Sequence, residues 1–261
     1  MKKKSWFGFR LIKFLIIIVF LFICGSFLYV KLSPKVQINT ANSMIMFDMN
    51  NEIFFKGNES KEWVGLNDIS PFLINATIVT EDKNFYKHHG FDFFRILKAS
   101  YINLKAGEAV QGASTITQQY AKNLFLDFSK TWKRKWDEMW YTMRIEANYS
   151  KEEILEGYLN TINYGHGKYG IENASKYYFN KSAKDLNLAE ATMLTGIPKA
   201  PSNYSPLVNF DLAKKRQLVI LELMVKNNII TEEEKNSAYN LELKFTKNSN
   251  EEELTTLMYY H

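Results

Sequence analysis

The chain has 261 residues, 15% of them aromatic, and a formal net charge of +5. This length suffices for a membrane anchor and one domain of about 200 residues with its own core. The single cysteine, Cys24, excludes an intramolecular disulfide. Five of the 33 Lys and Arg residues lie before residue 14, and the remaining 28 equal the 28 Asp and Glu residues. The positive charge therefore belongs to an N-terminal tail and does not indicate a nucleic-acid partner.

A membrane anchor is predicted near the N-terminus. Residues 14–30 form a stretch of 17 residues without a charge, close to the shortest helix that spans a bilayer. A cleaved signal peptide is the alternative, but the stretch ends in Phe-Leu-Tyr-Val without a small-residue cleavage site. The basic tail 1–13 favours a cytoplasmic N-terminus. We therefore expect a single-pass protein of the cell membrane, with residues 31–261 outside the cytoplasm.

The rest of the chain predicts one mostly α domain behind a small β element. Residues 31–42 are polar and predict a tether, and the pattern after them predicts a β-hairpin that turns at Asn50-Asn51. Capping signals and apolar periodicity then predict helices. These helices run from Ser70-Pro71 to near Glu81, from Ser150 to about Tyr164, from after Ser182-Ala183-Lys184-Asp185 to Gly196, from 211 to 226 and from 231 to 240. The domain would span residues 43–240, with residues 241–261 unassigned.

The densest polar stretch, residues 112–123, reads Gly-Ala-Ser-Thr-Ile-Thr-Gln-Gln-Tyr-Ala-Lys-Asn. So many hydrogen-bonding side chains are costly to bury unless a polar ligand uses them. Acidic pairs lie on either side of the stretch in sequence, at Glu81-Asp82 and at Asp137-Glu138, and basic residues precede the second pair. Two acidic groups around a polar and cationic lining suit chemistry on a sugar joined to a phosphate.

Five stretches of the chain carry a family resemblance. In order, they are TEDKNFYKHHGFD, QGASTITQQYAKNLFL, KRKWDE, KEEILEGYLNTINYGHGKYGIENASKYYF and LNLAEATMLTGIPKAPSNYSP. They resemble the successive motifs of the peptidoglycan glycosyltransferases of family 51, over about residues 40–240. The resemblance implies a lysozyme-like helical fold with a hydrophobic jaw, about residues 91–135, that dips into the membrane.

The same resemblance implies a reaction. The growing glycan chain, linked to lipid pyrophosphate, would pass to the 4-hydroxyl of lipid II with inversion, and undecaprenyl pyrophosphate would be released. The implied partners are lipid II, the lipid-linked glycan chain, the membrane bilayer and other cell-wall synthesis proteins. No nucleic acid and no organic cofactor are expected.

The resemblance assigns two catalytic acids. Glu81 matches the base of the family and lies at the C-terminal end of a predicted helix, where a carboxylate can act as a proton acceptor. Glu138 matches the second acid, which would hold basic side chains or a divalent cation, Mg²⁺ or Mn²⁺, in place. An ordinary surface pair with Arg134, four residues earlier, is the alternative for Glu138.

The other predicted site residues would bind substrate or support its binding. They are Asp82, Phe85, His88, Ser114, Thr117, Gln118, Gln119, Lys122, Asn123, Lys130, Arg134, Lys135 and Lys199. Asp82 would orient the site, Phe85 would pack its wall, and His88 would order the loop. Lys130 stands where other members often carry Arg, so a bidentate phosphate contact would be lost there.

The aromatic residues of two segments predict a protein surface that contacts the membrane. Tryptophans recur at four-residue intervals from Trp132 to Trp140, a pattern that is more often core than surface. A second apolar cluster, between residues 91 and 101, precedes basic residues, and this combination favours the bilayer interface. We expect the jaw and part of the tryptophan stripe to lie among the headgroups, and Gly107 to mark a mobile flap.

Two other functions are compatible with parts of the pattern. A lysozyme-like enzyme could cleave glycan with Glu81 as general acid, but it would not need a basic lining or a lipid-facing jaw. An inactive membrane-anchored scaffold of the cell-wall machinery would not need both acids and Lys122. Peptide cross-linking is not expected, because the sequence contains no Ser-x-x-Lys and no Lys-Thr-Gly element.

Overall fold

The computed structural model describes residues 62–108, 110, 112–125 and 131–246, together with residues 25, 29, 45–47 and 53–56. Two short strands, β1 (Ile45–Phe47) and β2 (Ile53–Lys56), pair antiparallel where the hairpin was predicted. The helices are α1 (Pro71–Glu81), α2 (Phe93–Ala106), α3 (Ile116–Phe125), α4 (Trp132–Asn148), α5 (Lys151–Thr161), α6 (Ile171–Phe179), α7 (Leu188–Gly196), α8 (Pro201–Tyr204), α9 (Phe210–Lys226) and α10 (Glu232–Asn240). The predicted mostly α class is confirmed.

The predicted anchor lies outside the described residues, apart from two helical positions, Gly25 and Tyr29. The tail 1–13 and the tether 31–42 also lie outside them. Among the residues that are described, none of the helices is both long and apolar enough to cross a bilayer.

Two helix starts differ in detail from the prediction. Helix α1 has the predicted bounds, but Ser70 does not cap it, because its hydroxyl donates to the carbonyl of Leu186 at 2.7 Å. Ser182 caps only a short 3-10 turn, and α7 begins after Asn187, which forms a capping box with Glu190. At each predicted helix start the serine side chain thus has another role: Ser70 bonds the chain before α7, and Ser182 caps the 3-10 turn that precedes α7.

The predicted capping boxes at Ser150 and Thr231 are both formed. Helix α5 nevertheless ends at Thr161, before the predicted end near Tyr164. Ile162 has extended backbone angles, with φ −70° and ψ 153°. The chain therefore leaves the helix one turn early and enters the loop that leads to α6.

The main core forms where α3, α5, α6 and α7 meet, and a smaller cluster joins α1, α7, α9 and α10. The approach of α3 to α5 depends on Gly157. A Cβ atom at Gly157 would lie 2.1 Å from the hydroxyl oxygen of Tyr120, which is buried on α3. Close packing of these two helices matters for the site, because α3 carries the polar stretch.

The segment before α1 is held by two side chains of α5. The indole N–H of Trp63 donates to Glu156 at 2.8 Å, and the backbone N–H of Leu66 donates to the same carboxylate at 2.9 Å. Asn160 pairs with both backbone groups of Val64, at 3.1 Å and 2.9 Å. These bonds replace a strand partner for residues 63–66 and fix the chain that leads into α1.

The described part of the unassigned C-terminal segment packs back onto the domain. The backbone N–H of Thr246 donates to the carbonyl of Tyr178 at 2.9 Å. The ring of Phe245 stacks on Phe179 with a centroid distance of 5.3 Å. Residues 241–246 therefore belong to the folded domain.

We expect Gly157→Ala to destabilise the domain by about 1–3 kcal/mol, because the added methyl group overlaps Tyr120 and overpacks the core. Urea or guanidinium unfolding followed by circular dichroism measures the change. Gly112→Ala is the control, since a Cβ atom there would have no neighbour within 4 Å. Equal midpoints for both variants would show that α3 can move away from α5 without cost.

Candidate active site

Four consecutive residues at the start of α3 each hydrogen-bond a different carboxylate. The pairs are Ile116 N–H with Asp82 (3.1 Å), Thr117 with Glu146 (2.5 Å), Gln118 with Glu138 (3.4 Å) and Gln119 with Glu81 (2.8 Å). The first turn of a helix has N–H groups without intrahelical partners and the positive end of the helix dipole, so negative groups are stabilised there. We call these four pairs the α3 hub.

Glu81 is the last residue of α1 and is partly exposed. Its Oε2 atom accepts a hydrogen bond from Gln119, whose own carbonyl oxygen accepts one from the hydroxyl of Tyr158 at 3.2 Å. Burial, together with the nearby charge of Glu81, raises the pKa of Tyr158 well above its usual value, so the hydroxyl stays a donor. Arg95 donates to the backbone carbonyl of Glu81. One carboxylate oxygen is thus held in place, and within the described residues Oε1 has no hydrogen-bond partner.

Asp82 and Phe85 are fully buried, so they support the site from behind and do not contact a substrate. Both oxygens of Asp82 lie 3.0 Å from Nε2 of His88, and Arg95 lies 3.9 Å away. The ring of His88 packs edge-on against Phe85. Phe85 packs in the wall behind Glu81 and is not exposed to a ligand, and the orienting role of Asp82 and the loop-ordering role of His88 stay predictions.

Glu138 is buried on α4, with 3% of its surface exposed. Arg134 donates to one oxygen at 3.3 Å, and Lys135 donates to the other. The alternative of an ordinary surface pair is therefore wrong, because the carboxylate is removed from water. Both oxygens are engaged by cations, and in the described ranges no three His, Cys, Asp or Glu residues come together to hold a metal. Glu138 is thus the counter-ion of two basic side chains, and a divalent cation at Glu138 stays a prediction.

The remaining predicted residues of the polar stretch divide into buried and accessible ones. Thr117 was predicted to bind substrate. It is fully buried and donates to Glu146, so its hydroxyl does not face a substrate. Ser114 is exposed just before α3. Lys122 and Asn123 are half-buried one turn after the two glutamines of the hub, and Lys122 has no ion-pair partner among the described residues. Only Ser114, Lys122 and Asn123 of this group keep access to a ligand.

The two remaining predicted basic residues are Lys130 and Lys199. Lys130 lies outside the described residues. Lys199 is exposed in the 3-10 turn Ile197–Lys199 after α7. No hydrogen bond or ion pair connects it to the hub within the described part of the chain, so its role near the donor stays a prediction.

Sequence reasoning missed two charged residues at the hub, Glu146 and Arg95. Glu146 follows Glu138 along α4 by two four-residue steps, with Thr142 between them, so all three side chains lie along one face. That spacing was a signal for a second buried acid. Arg95 carried no comparable signal, because its contacts with Glu81 and Asp82 arise only when α2 turns back past the end of α1.

The jaw helix α2 exposes a row of large apolar side chains. They are Phe93, Phe94, Leu97, Tyr101 and Leu104, with 67–87% of each exposed. Trp132 is 93% exposed and Trp136 is 54% exposed, so the first part of the tryptophan stripe is not core. Helix α2 ends at Gly107, which adopts a φ of +74°; a flap there stays a prediction. An exposed apolar surface of this kind indicates an interaction site for a membrane or for another protein.

Residues 49–225 match the model of the family described as Transglycosylase. Penicillin-binding protein 2D of Bacillus subtilis (strain 168) is 54% identical over 200 residues, covering 77% of this chain and 29% of that protein. Penicillin-binding protein 1A of Neisseria gonorrhoeae is 44% identical over 191 residues, covering 73% of this chain and 24% of that protein. A crystal structure of penicillin-binding protein 1A from Haemophilus influenzae aligns with 22% identity and a TM-score of 0.44, covering 82% of this chain and 22% of that one.

The chain thus spans less than a third of the length of these relatives. The family match covers more than half of the chain and includes the whole α3 hub. At 0.44 the TM-score is too low to bear on the fold, whereas the family match rests on the sequence alone. This chain belongs to the transglycosylase family, the peptidoglycan glycosyltransferases of family 51, as its five motifs predicted.

Proposed function

We propose that the chain polymerises the glycan strands of peptidoglycan. It transfers the growing glycan chain from undecaprenyl pyrophosphate to the 4-hydroxyl of lipid II, with inversion. The observation that carries this proposal is the pair of adjacent glutamines on α3. Gln119 holds Glu81 on one side, and Gln118 contacts Glu138 with its two cations on the other. The reaction needs a proton acceptor and positive charge near a pyrophosphate; Glu81 supplies the first, and Arg134 and Lys135, held by Glu138, supply the second.

In the proposed step Glu81 is the general base. It takes the proton of the 4-hydroxyl while that oxygen attacks the anomeric carbon of the growing chain. The bond between the anomeric carbon and the pyrophosphate oxygen breaks, and the pyrophosphate leaves with the electron pair. Attack from the face opposite the leaving group inverts the anomeric centre. Gln119 orients the carboxylate so that its other oxygen points to the acceptor, and such orientation lowers the barrier.

The leaving pyrophosphate is proposed to meet Arg134, Lys135 and Lys122. Glu138 uses only one terminal nitrogen of Arg134, so the planar guanidinium keeps donors for a phosphate oxygen. Because cations already engage both oxygens of Glu138, these side chains supply the positive charge themselves in our proposal. Lys122 adds a further charge on the accessible side of α3.

The exposed row of α2 is proposed to lie among the lipid headgroups together with Trp132 and Trp136. Aromatic side chains at this depth place the apolar body in the acyl region and the polar edge near water. A substrate with a lipid tail can then reach the hub without leaving the bilayer. The predicted anchor and an extracytoplasmic domain are part of the same proposal.

The environment of Glu138 argues against the glycan-cleaving alternative. A retaining or inverting glycosidase needs two carboxyl groups that face the sugar, about 5–9.5 Å apart. Glu138 is buried and neutralised by two cations, so it does not offer a second carboxylate to a sugar ring. The 261 residues contain no penicilloyl-forming motif, and we propose that this chain does not cross-link peptide.

We expect Glu81→Gln to lower the rate of lipid II polymerisation by at least about 10²-fold, because the amide cannot accept the proton. Gel separation of labelled glycan products measures the rate, and thermal unfolding verifies that the variant is folded. Glu152→Gln, at an exposed position of α5, is the matched control. Polymerisation by Glu81→Gln at near the parent rate would exclude Glu81 as the base.

Arg134→Ala and Lys122→Ala should each weaken binding of the lipid-pyrophosphate substrate about tenfold or more, since each removes a charge-assisted contact. Binding of the phosphoglycolipid inhibitor moenomycin should fall in parallel, as measured by fluorescence anisotropy. Lys184→Ala is the control, because that lysine pairs with Asp68 on the surface. Equal affinities for all three variants would contradict the assignment of a phosphate lining.

A chain without residues 1–30 should still float with liposomes, because each exposed side chain of α2 gains about 1.5–3 kcal/mol on burial in lipid. Phe94→Ser and Leu104→Ser should each reduce the bound fraction, whereas Val219→Ser, an exposed apolar position on α9, should not. A truncated protein that stays in the aqueous fraction would show that the apolar row has another partner.

A further inference from the structure

The α3 hub contains one acid that the proposed reaction does not use, Glu146. We infer that Glu146 is a positioning residue: it holds Thr117, and thereby sets the start of α3 so that Gln118 and Gln119 reach Glu138 and Glu81. The inference rests on the proposed function, since positioning has meaning only if those two acids act.

The contacts of Glu146 are all within the protein. Its side chain is 7% exposed, and its Oε1 atom accepts from Thr117 at 2.5 Å and from Nζ of Lys151 at 2.7 Å. Thr117 immediately precedes the two glutamines. Successive residues of a helix point about 100° apart, so holding Thr117 toward α4 directs Gln118 and Gln119 to two different sides. A small rotation of this first turn would move both glutamines off their acids.

A second restraint acts at the same place. A Cβ atom at Gly90 would lie 2.8 Å from Cγ2 of Thr142 and 3.1 Å from Cγ of Glu146, and Gly90 has a φ of +85°. The carbonyl of Gly90 accepts from the hydroxyl of Thr115 at 2.7 Å. The turn after the first motif is therefore clamped between α4 and the chain that enters α3, beside Glu146.

Lys151 connects Glu146 to the ring of Phe85. It is the first residue of α5, and its Nζ lies 4.5 Å from the centroid of the Phe85 ring. Phe85 in turn supports His88, which orders Asp82. One buried carboxylate thus connects α3, α4, α5 and the 3-10 turn Phe85–Lys87, which follows Glu81.

Stability alone does not account for this arrangement. A buried ion pair gives little net stability, and a well-packed apolar replacement is often equally stable. What a satisfied buried network supplies is a single defined geometry. Glu172 has a similar environment far along the chain, with Lys176 at 3.3 Å and the N–H of Ala183 at 2.7 Å, but it touches no residue of the hub. It provides a matched control.

The test uses the full chain and steady-state polymerisation of lipid II. Thr117→Val keeps the shape but removes the hydroxyl, and we expect kcat to fall about 10- to 100-fold, because misplacement of catalytic groups by about 1 Å has effects of up to this size. KM should change by less than about threefold, since the binding residues are untouched. Glu146→Gln should act in the same direction. Thr117→Ser retains the hydroxyl, so its kcat should stay within about threefold of the parent value.

Two further measurements separate positioning from general stability. When Thr117→Val is added to Gln119→Ala, kcat should fall by a further factor of less than about two, because both changes disturb the contact of Gln119 with Glu81. Glu172→Gln should leave kcat within about twofold of the parent while lowering the melting temperature, since it disturbs a comparable buried acid outside the hub.

Hydrogen exchange gives a readout that does not depend on activity. Amides 116–119 should exchange faster in Thr117→Val than in the parent, while amides of α7 should not change. If the parent itself fails to polymerise lipid II, the proposed function fails and the exchange result decides whether Glu146 positions α3. If the parent is active and both Thr117→Val and Glu146→Gln keep its kcat, or if only stability falls, the inference is overturned.

Discussion

The positive end of α3 is the constraint on which the site depends. Four carboxylates contact its first turn, and each loses hydration to the extent that it is buried, so each needs a donor in a defined position. The first four residues of α3 supply one donor to each acid. Basic side chains complete the set: Arg134 and Lys135 for Glu138, Lys151 for Glu146.

This constraint explains the composition of the polar stretch. Its hydroxyl and amide groups first satisfy acids of the protein, and only part of them remains open to a ligand. Thr117 is the clearest case, because its hydroxyl is buried against Glu146. The two glutamines are engaged at both ends of their amides: each donates to an acid, while the carbonyl oxygen of Gln118 accepts from the backbone N–H of Thr115 and that of Gln119 from Tyr158. A network of this kind gives one geometry when every member is satisfied and fails when one is removed.

The surface of α2 is the second feature that the core does not explain, because its large apolar side chains stay exposed. Helix α2 buries little of its own apolar surface, with Ala99 its one buried residue among those described. Burial of the remaining side chains in lipid would supply the free energy that packing does not.

Local pattern determined much of this protein. Proline and capping boxes defined the helices that start at Pro71, Lys151 and Glu232, because such signals act within one turn of the chain. The five motifs identified the family, and the two acids at Glu81 and Glu138 followed from them.

Tertiary structure decided which polar residues point inward. Whether Thr117 faces a substrate or an acid depends on α4 lying against α3, and whether Trp132 is core or surface depends on what packs beside α4. The roles of Arg95 and Glu146 were decided in the same way, since their partners lie 14 and 29 residues away in sequence. Residue type and spacing limit what a side chain can do; its neighbours across the fold, which no local pattern encodes, determine which of those roles it takes.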